Sequence, residues 1–260
     1  IEVVVAWDTD TVEITIHGRL SSRELDRPDG LARAEQRIRR VADAFVLEGI
    51  GLIPADSRQS VGDMALADRD LQQQLSRLAA QQQPRTVRPT PDLGSLALEY
   101  AIPLDPIRAL VSARLQTGER VQRQWRWVPS ADFSGLLIYA ADPLPRYANP
   151  AAQPVRLQPA LTFAVYSDAG EPVAILAGLP AHAPGPVYVP NTDERAITST
   201  IGLAPLRVLA RQAFGDSPVD PVISSTDADR LRSRPANLQM LQEGRIAVVI
   251  DPALLRQQLR

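Results

Sequence analysis

The stretch 133-FSGLLIYAADPLPRYANPAAQPVRLQPALTFAVYSDAG-170 decides how we interpret the fold of this chain. It holds two short runs of bulky apolar residues, 136–141 and 160–166, each bounded by Gly or Pro. Such runs are typical of buried β-strands, although a short apolar run alone also fits a buried helix segment. A proline-rich loop, 143–159, separates them. We therefore predict that a C-terminal domain begins near residue 130 and continues to the last residue.

The last third of the chain gives the clearest order of elements. Residues 219–224 predict a strand, 227–243 a helix and 245–251 a buried strand, with Gly244 ending the helix. Pro235 lies inside the helical pattern, where a proline removes a backbone donor, so we expect a break there. The terminal order is therefore strand, helix, strand.

Three local predictions complete this half of the chain. Residues 173–176 predict a further strand, and residues 196–199 an extended segment. Thr226, with Asp229 three residues later, resembles a capping box in which Asp replaces the usual Glu or Gln. We therefore expect these two side chains to cap the helix rather than to bind a metal.

The N-terminal half predicts strands and helices in mixed order. We place strands at 2–7, 11–17, 96–102 and 121–128, and helices at 28–47 and 68–82. In the second strand, apolar and polar residues alternate, so one face is expected to be buried and the other solvated. The first helix is expected to end at Gly49 and Gly51. Its apolar stripe, expected to face the core, contains Leu31, Ala34, Ile38, Val41, Ala42, Phe45 and Val46.

Taken together, these elements predict the α+β class in two mixed α/β domains. The first domain, 1–129, is expected to hold a sheet packed by two helices. The second, 130–260, is expected to be mostly β, with the terminal strand-helix-strand. A chain of 260 residues is long enough for two domains with separate cores.

The composition excludes several kinds of chemistry. There is no Cys, and therefore no disulfide, thiolate nucleophile or Cys-ligated metal. All 28 basic residues are Arg, which excludes Schiff-base lysines and the phosphate-loop lysine. The formal net charge of −2 gives no general attraction to nucleic acid or anionic lipid. We expect no cofactor and no nucleic-acid partner.

Known catalytic motifs are absent from the sequence. We find no phosphate cradle, nucleophile elbow or zinc-binding helix motif. The two histidines, His17 and His182, are both expected at the surface, and two imidazoles without Cys do not make a structural zinc site. Asp251 follows a buried strand but precedes Pro252, and we expect no special role for it. We therefore predict no catalytic residue and no metal site.

One cluster, in the predicted strand 121–128, combines Arg with Trp. In an extended strand, Arg123, Trp125 and Trp127 share one face. Aromatic rings beside Arg bind single-stranded nucleic acid or a sugar face. The same residues also fit packing between domains or against a protein partner, with Arg stems laid over the rings. The net charge argues against nucleic acid, and the other readings stay open.

A second candidate contact surface lies in the loop 143–159. Arg146 and Tyr147 stand near its start, and the loop is expected to be exposed. Surface loops carry binding residues more often than the elements that they connect. We therefore add Arg146 and Tyr147 to the candidate partner or ligand surface.

Several stretches carry a resemblance to a known family. An Ala/Arg-rich helix, 33–53, is followed by Ala55-Asp56-Ser57 and Ser60-Val61-Gly62-Asp63. This order resembles the N-terminal module of a bacterial lipoprotein family that includes the flagellar-assembly protein FlgT. Further along, 133-FSGLLI-138 followed by 157-LQPAL-161 is similar to exported proteins of that group, especially from spirochaetes. Residues 205–214, 219–228 and 243–251 fit the same pattern.

The resemblance implies an exported protein in the periplasm or at the outer membrane. It implies protein partners in the cell envelope, with flagellar basal-body components as candidates. Its motifs are structural and bring no catalytic residues with them. The chain begins at Ile1, and an upstream signal peptide or a Cys-bearing lipoprotein leader fits the same expectation.

Three functions follow from these observations. The first is a non-enzymatic structural or interaction protein of the periplasm, associated with the envelope or the flagellum. The second is a glycan- or peptide-binding module that uses Trp125, Trp127 and the proline-rich loops. The third is a carboxylate-based hydrolase of cell-wall sugar, which requires two carboxyl groups roughly 5 to 9 Å apart in a cleft.

Overall fold

The computed structural model describes residues 1–115, 121, 123, 128–177, 179 and 185–259. The chain divides into two compact units, each assembled from separate segments. The first unit contains Ile1–Ile53, Ser60–Ile107 and Gln257–Arg260, and the second contains Pro54–Gln59 and Arg108–Arg256. The domains predicted from sequence, 1–129 and 130–260, are contiguous, whereas a short early segment belongs to the second unit and the last residues belong to the first.

Helices and strands occur in mixed order along the described residues of both units. The strands are β1 (Glu2–Ala6), β2 (Thr11–Arg19), β3 (Thr86–Pro89), β4 (Ser95–Pro103), β5 (Leu136–Tyr139), β6 (Ala164–Ser167), β7 (Pro172–Ile175), β8 (Val187–Val189), β9 (Leu206–Leu209), β10 (Gln212–Phe214), β11 (Asp220–Ile223), β12 (Ile246–Val249) and β13 (Arg256–Leu259). The helices are α1 (Ser22–Leu25), α2 (Gly30–Gly51), α3 (Val61–Ala67), α4 (Arg69–Ala80), α5 (Leu104–Ser112), α6 (Glu194–Ile201), α7 (Ser225–Arg232) and α8 (Pro235–Gln242).

The first unit is a sheet covered by helices. Its strand order is β13-β1-β2-β4-β3, and β2 pairs antiparallel with both β1 and β4. The alternating residues Val12, Ile14 and Ile16 of β2 are buried, as their pattern predicts. Helix α2 packs on this strand, and α4 packs on α2 through its buried Leu71 and Leu75. The expected N-terminal sheet packed by two helices is confirmed.

The stripe predicted on α2 is only partly correct. Ala34, Ile38, Ala42 and Val46 are buried, but Leu31, Val41 and Phe45 are 47%, 51% and 37% exposed. The buried face continues through Gly49 and Ile50. The inward face of the helix is therefore rotated from the predicted one toward its smaller residues.

The helix ends at Gly51, one of the two glycines expected to end it, but it continues through Gly49. A Cβ atom at Gly49 would lie 2.7 Å from Cδ1 of Ile14 and 3.2 Å from Cγ2 of Val3. Since real Cβ contacts are longer, Gly49 serves here to let α2 approach the sheet closely. The glycine has a packing role and does not end the helix.

The second unit contains two four-stranded sheets. One has the order β8-β12-β5-β9 with parallel pairing throughout, and the other has the order β10-β11-β6-β7. Helix α6 covers the parallel sheet with Ile197 and Ile201, which pack in one cluster with Leu137 and Val249. Residues 196–199, predicted to be extended, are therefore helical. Their β-branched residues favour a strand, but burial of two Ile side chains one helical turn apart outweighs that preference.

The two apolar runs that define this half of the chain both contribute strands. The first run becomes β5, at the centre of the parallel sheet. The second becomes β6, but only from Ala164 onward, while Leu161, Thr162 and Phe163 are buried outside any strand. Burial there comes from packing of an irregular segment, which periodicity alone does not distinguish from a strand.

The terminal strand-helix-strand is confirmed as β11, α7–α8 and β12. The helical region is broken before Pro235, as predicted, and β11 and β12 belong to different sheets. The N-cap of α7 is Ser224, whose hydroxyl accepts a hydrogen bond from Asp227 N at 3.1 Å. The predicted N-cap, Thr226, lies inside the helix, because Ser224 is the last extended residue before it. The α+β class in two domains is thus established.

Candidate functional site

The Arg/Trp cluster lies largely outside the described residues. Trp125 and Trp127 belong to that part of the chain, as does His182. Arg123 is described, exposed, and its Nε donates a hydrogen bond to Ser233 O at 3.4 Å. The proposed shared face of Arg123, Trp125 and Trp127 stays a prediction.

The start of the loop 143–159 is fixed to the strand β10. Tyr147 N donates to Ala213 O at 2.9 Å, and Ala213 N donates to Pro145 O at 3.0 Å. The backbone of Arg146 pairs with that of Ala213 in an isolated parallel β-bridge at the same point. Both Arg146 and Tyr147 are half-buried rather than freely exposed. Their role in partner contact stays a prediction.

An aromatic row connects Tyr147 with strand β6. The ring of Phe214 contacts Tyr147 edge-to-face, with centroids 5.7 Å apart, and contacts Tyr166 in the same way at 5.2 Å. Such arrangements stabilise a core beyond the area that they bury. Phe214 therefore links one predicted site residue, Tyr147, to Tyr166, whose ring lines a cavity.

That cavity, of about 500 Å³, is the best-defined candidate site of the second unit. It is bordered by the short segment 56–59, by strands β6 and β7, and by the first residue of β11. We call it the Asp220 cavity. Its lining residues are Asp56, Ser57, Arg58, Gln59, Leu115, Thr162, Phe163, Ala164, Tyr166, Gly170, Pro172, Ile175, Ala177 and Asp220.

Backbone hydrogen bonds hold the early segment Pro54–Gln59 in the second unit. Thr162 donates to Ala55 O twice, from its backbone N at 2.9 Å and from its hydroxyl at 3.0 Å. Leu161 N donates to Pro54 O at 3.0 Å. Asp56 tightens the turn, since its Oδ1 accepts from Arg58 N and from Gln59 N. These hydrogen bonds therefore fix the segment in place as one wall of the cavity.

Asp220 is the most unusual polar residue of this site, because it is only 4% exposed. Its Oδ1 accepts a hydrogen bond from Ala164 N at 2.9 Å, and its carboxylate also accepts one from the Ser57 hydroxyl. Burial raises the pKa of Asp220 to about 6, and the charge of Asp56 adds to this shift. The two hydrogen bonds and Arg58 oppose the shift. At neutral pH the carboxyl group is mostly ionised and close to its titration range.

The aromatic wall of the cavity stays neutral. Burial raises the pKa of Tyr166, and the negative charge of Asp220 adds to the effect, so its phenol remains protonated at neutral pH. The cavity thus combines one buried carboxylate, one partly buried carboxylate, a guanidinium and an apolar face. Among the described residues, no group of three or more His, Cys, Asp or Glu side chains can hold a metal ion.

A second depression, of about 450 Å³, lies in the first unit among α2, α3 and α4. We call it the helical groove. Its lining residues are Ala44, Leu47, Glu48, Gly51, Leu52, Ser60, Val61, Gly62, Asp63, Ala65, Leu66, Gln72 and Leu75. Leu66 is 84% exposed. A Cβ atom at Gly62 would lie 3.0 Å from Gly51 O, so two glycines bring α2 and α3 close together at its floor.

The charged residues of the described groove lining are Glu48 and Asp63. Asp63 forms a capping box with Ser60, in which Ser60 N donates to Asp63 Oδ2 at 2.9 Å and Asp63 N donates to the Ser60 hydroxyl at 3.2 Å. The bonds that the Asp63 carboxylate accepts from Ser60 N and from the Ser60 hydroxyl lower the pKa of Asp63. The groove is therefore apolar with an acidic border.

Sequence reasoning missed Asp220 and the helical groove. Asp220 was assigned only to a predicted strand, yet a carboxylate inside the otherwise apolar run 219–224 is a signal, because charged residues are rarely buried without a partner. The groove had no such signal, since it depends on which face of α2 is buried.

Comparison with known families covers most of the chain. Residues 1–110 match the family model of the Treponema pallidum Tp0624 N-terminal domain, and residues 135–252 match that of the Tp0624 second domain. Each half of the chain is therefore similar to a domain of Tp0624. The two matches span 110 and 118 residues, 228 of 260 in all, and follow the order that the domain names give.

The predicted resemblance is confirmed at the level of a spirochaete family. Both matching models are named for Tp0624, and neither names FlgT. No curated protein matches the chain. Within the described residues, no helix is both long and apolar enough to cross a membrane.

Proposed function

We propose that this chain is a non-enzymatic interaction protein of the cell envelope, exported to the periplasm or held at the outer membrane. The observation that carries the proposal is the helical groove of the first unit. Leu66, 84% exposed, lies in this groove with Ala44, Leu47 and Leu52, which are exposed or half-buried, and a contiguous apolar surface of this kind marks an interaction site.

The groove continues onto the solvent side of α2. Val41 and Phe45 are exposed, and helical spacing puts them on the same face as Glu48 and Leu52, which line the groove. An apolar strip of this kind suits the apolar face of a partner helix. The acidic Glu48 and Asp63 favour a partner whose apolar residues are flanked by Arg or Lys. We therefore propose an amphipathic basic segment of an envelope protein as the occupant.

The non-enzymatic part of the proposal is supported by the bonds of the Asp220 cavity. Its carboxylates accept from backbone N–H groups, Asp220 from Ala164 and Asp56 from Arg58 and Gln59. Groups used in this way hold the local fold. The hydrolase alternative is kept because Asp220, whose pKa is raised, shares the cavity with a second carboxylate, Asp56, and an acid/base pair requires two such groups. Loss of cell-wall hydrolysis on Asp220→Asn would favour it.

The finer location rests on the family resemblance alone. We propose flagellar basal-body components as candidate partners, and a lipid anchor upstream of Ile1 as the means of retention. The glycan- or peptide-binding alternative using Trp125 and Trp127 is retained, and the Asp220 cavity favours a ligand-binding role in the second unit.

Site-specific photo-crosslinking in the native cell tests the groove. A photoreactive residue at Leu66 is expected to capture an envelope protein through an apolar segment flanked by basic residues. The same residue at Leu93, a 59% exposed leucine of the same unit outside the groove lining, is the matched control. Glu48→Arg is expected to reduce the capture at position 66. Equal capture at both positions, or none at 66, would overturn the proposal.

A further inference from the structure

The described lining of the Asp220 cavity holds more negative than positive charge. In the described part of its lining, the charged residues are Asp56, Asp220 and Arg58, two carboxylates and one guanidinium. Arg58 is exposed and screened by water, whereas Asp220 is only 4% exposed. The field inside the cavity is therefore dominated by the buried carboxylate, and it favours a positive charge.

The hydrogen bonds of Asp220 leave room for a ligand. An ionised carboxylate has about four acceptor positions. Ala164 N and the Ser57 hydroxyl use two of them. A donor group of a bound molecule can use the others, and an opposite charge would remove the penalty that burial places on the ionised form.

The rest of the wall suits a carbon skeleton. Phe163, Ile175 and Pro172 line the cavity with the neutral ring of Tyr166. Aromatic faces attract cations as well as apolar groups. A volume of about 500 Å³ lies within the range of small-molecule sites.

We propose that the Asp220 cavity binds a small organic cation, with its ammonium or guanidinium group against Asp220 and its skeleton against Phe163, Tyr166 and Ile175. This site lies in the second unit and is independent of the helical groove. Its failure and the failure of the proposed envelope partner are therefore distinguishable, because each is tested on residues of a different unit.

The pH dependence of cation affinity distinguishes a ligand-binding role of Asp220 from a purely structural one. A cation needs the ionised carboxylate, so affinity is expected to fall about tenfold per pH unit below the titration of Asp220 and to level off above it. The groups whose charges act on Asp220 are Asp56 and Arg58, on the segment 56–59. Tyr166 on β6 and Tyr188 on β8 also interact with it, and both phenols stay neutral, because burial raises the pKa of each.

Calorimetric titration of the full chain with 2-phenylethylamine tests the proposal. Its neutral counterpart 2-phenylethanol and the anion 3-phenylpropionate are the comparison probes, each at pH 5 and pH 7.5. We expect the amine to bind at least tenfold more tightly than the alcohol at pH 7.5, the anion not to bind, and the preference to shrink at pH 5. Equal binding of amine and alcohol, or no binding of the amine at millimolar concentration, would overturn the proposal.

Variants locate the binding to the cavity. Asp220→Asn is expected to weaken amine binding at least tenfold and to remove its pH dependence, whereas Asp251→Asn, a carboxylate outside the cavity lining, is expected to leave it unchanged. Ala177→Phe narrows the cavity and removes no charged group from it, and it is expected to abolish binding. If Asp220→Asn does not fold, the Ala177→Phe variant alone tests whether the amine binds in the cavity. Full amine binding by a folded Asp220→Asn or Ala177→Phe protein contradicts the assignment.

Discussion

The Ser57 hydroxyl donates a hydrogen bond to the buried carboxylate of Asp220. One residue lies early in the chain and the other begins the strand β11, yet both belong to the second unit. Ser57 is held from its other side, because Ser217 N donates to Ser57 O at 3.1 Å. The contact makes the segment Pro54–Gln59 an integral part of the second unit rather than a linker.

Replacing Ser57 by Ala is expected to destabilise the second unit. The change removes one donor from a buried carboxylate, which costs about 1 to 3 kcal/mol when the group is ionised. Urea unfolding at pH 7.5 measures the loss, and the loss should shrink at pH 4, where Asp220 is protonated. Ser217→Ala is the control, because its exposed side chain is removed while its backbone bond stays. Equal effects of both variants contradict the prediction.

Asp220 is expected to make stability fall as the pH rises. Its pKa is raised from 3.8 to about 6, so between these values the folded protein binds a proton that the unfolded chain has lost. The free energy of unfolding therefore decreases through this window, by about 3 kcal/mol from this group. In Asp220→Asn the contribution is absent. In urea unfolding, the free energy of unfolding of Asp220→Asn relative to that of the wild type should therefore rise from pH 4 to pH 7. A pH-independent difference would refute the assignment.

Local patterns in the sequence predicted the elements that depend on their own residues. All four residues of β12 are buried, and the continuous apolar run predicts that result. Pro235 breaks the terminal helical region because proline lacks the backbone N–H that the interior of a helix requires, whatever its neighbours are. The two-domain α+β class follows from elements of this kind.

The remaining features depend on neighbours that the sequence does not identify. On α2, Val41 and Ala42 are adjacent, and the packing of the sheet against the helix decides that Ala42 is buried. The α6 segment is helical because Ile197 and Ile201 meet the parallel sheet. The Asp220 site requires Ser57 from a distant part of the chain, and no local pattern indicates such a pairing.

Gly49→Ala is expected to destabilise the first unit although Ala favours helix. The added Cβ would lie 2.7 Å from Ile14 Cδ1, and overpacking of this kind costs about 1 to 3 kcal/mol, against a propensity gain of about 1 kcal/mol. The matched change Gly51→Ala meets its nearest atom at an ordinary 3.4 Å, so it should be neutral or slightly stabilising. Thermal unfolding of both variants checks the order, and a more stable Gly49→Ala protein would show that α2 can move away from the sheet.

Asn237 is fully buried, and it fastens the segment before β5 to the terminal helices. Its Oδ1 accepts from Phe133 N at 2.8 Å, and its Nδ2 donates to Ala131 O at 3.0 Å and to Arg230 O at 3.3 Å. Asn237→Ala removes all three bonds and leaves the Phe133 N–H without its partner, whereas Arg230 O still accepts from the Ser130 and Ser233 hydroxyls. We expect a loss of about 1 to 3 kcal/mol, the usual cost of a buried polar group left unpaired.

The control for Asn237→Ala is Gln239→Ala in the same helix, at an exposed position whose amide reaches only Glu243. Surface changes of this kind stay within about 0.5 kcal/mol. Hydrogen exchange should also detect a local effect, with faster exchange of the Phe133 amide in Asn237→Ala and an unchanged rate in Gln239→Ala. If the two variants lose equal stability, the segment 131–133 is held by apolar packing of Phe133 instead, and the hydrogen bonds of Asn237 add nothing to it.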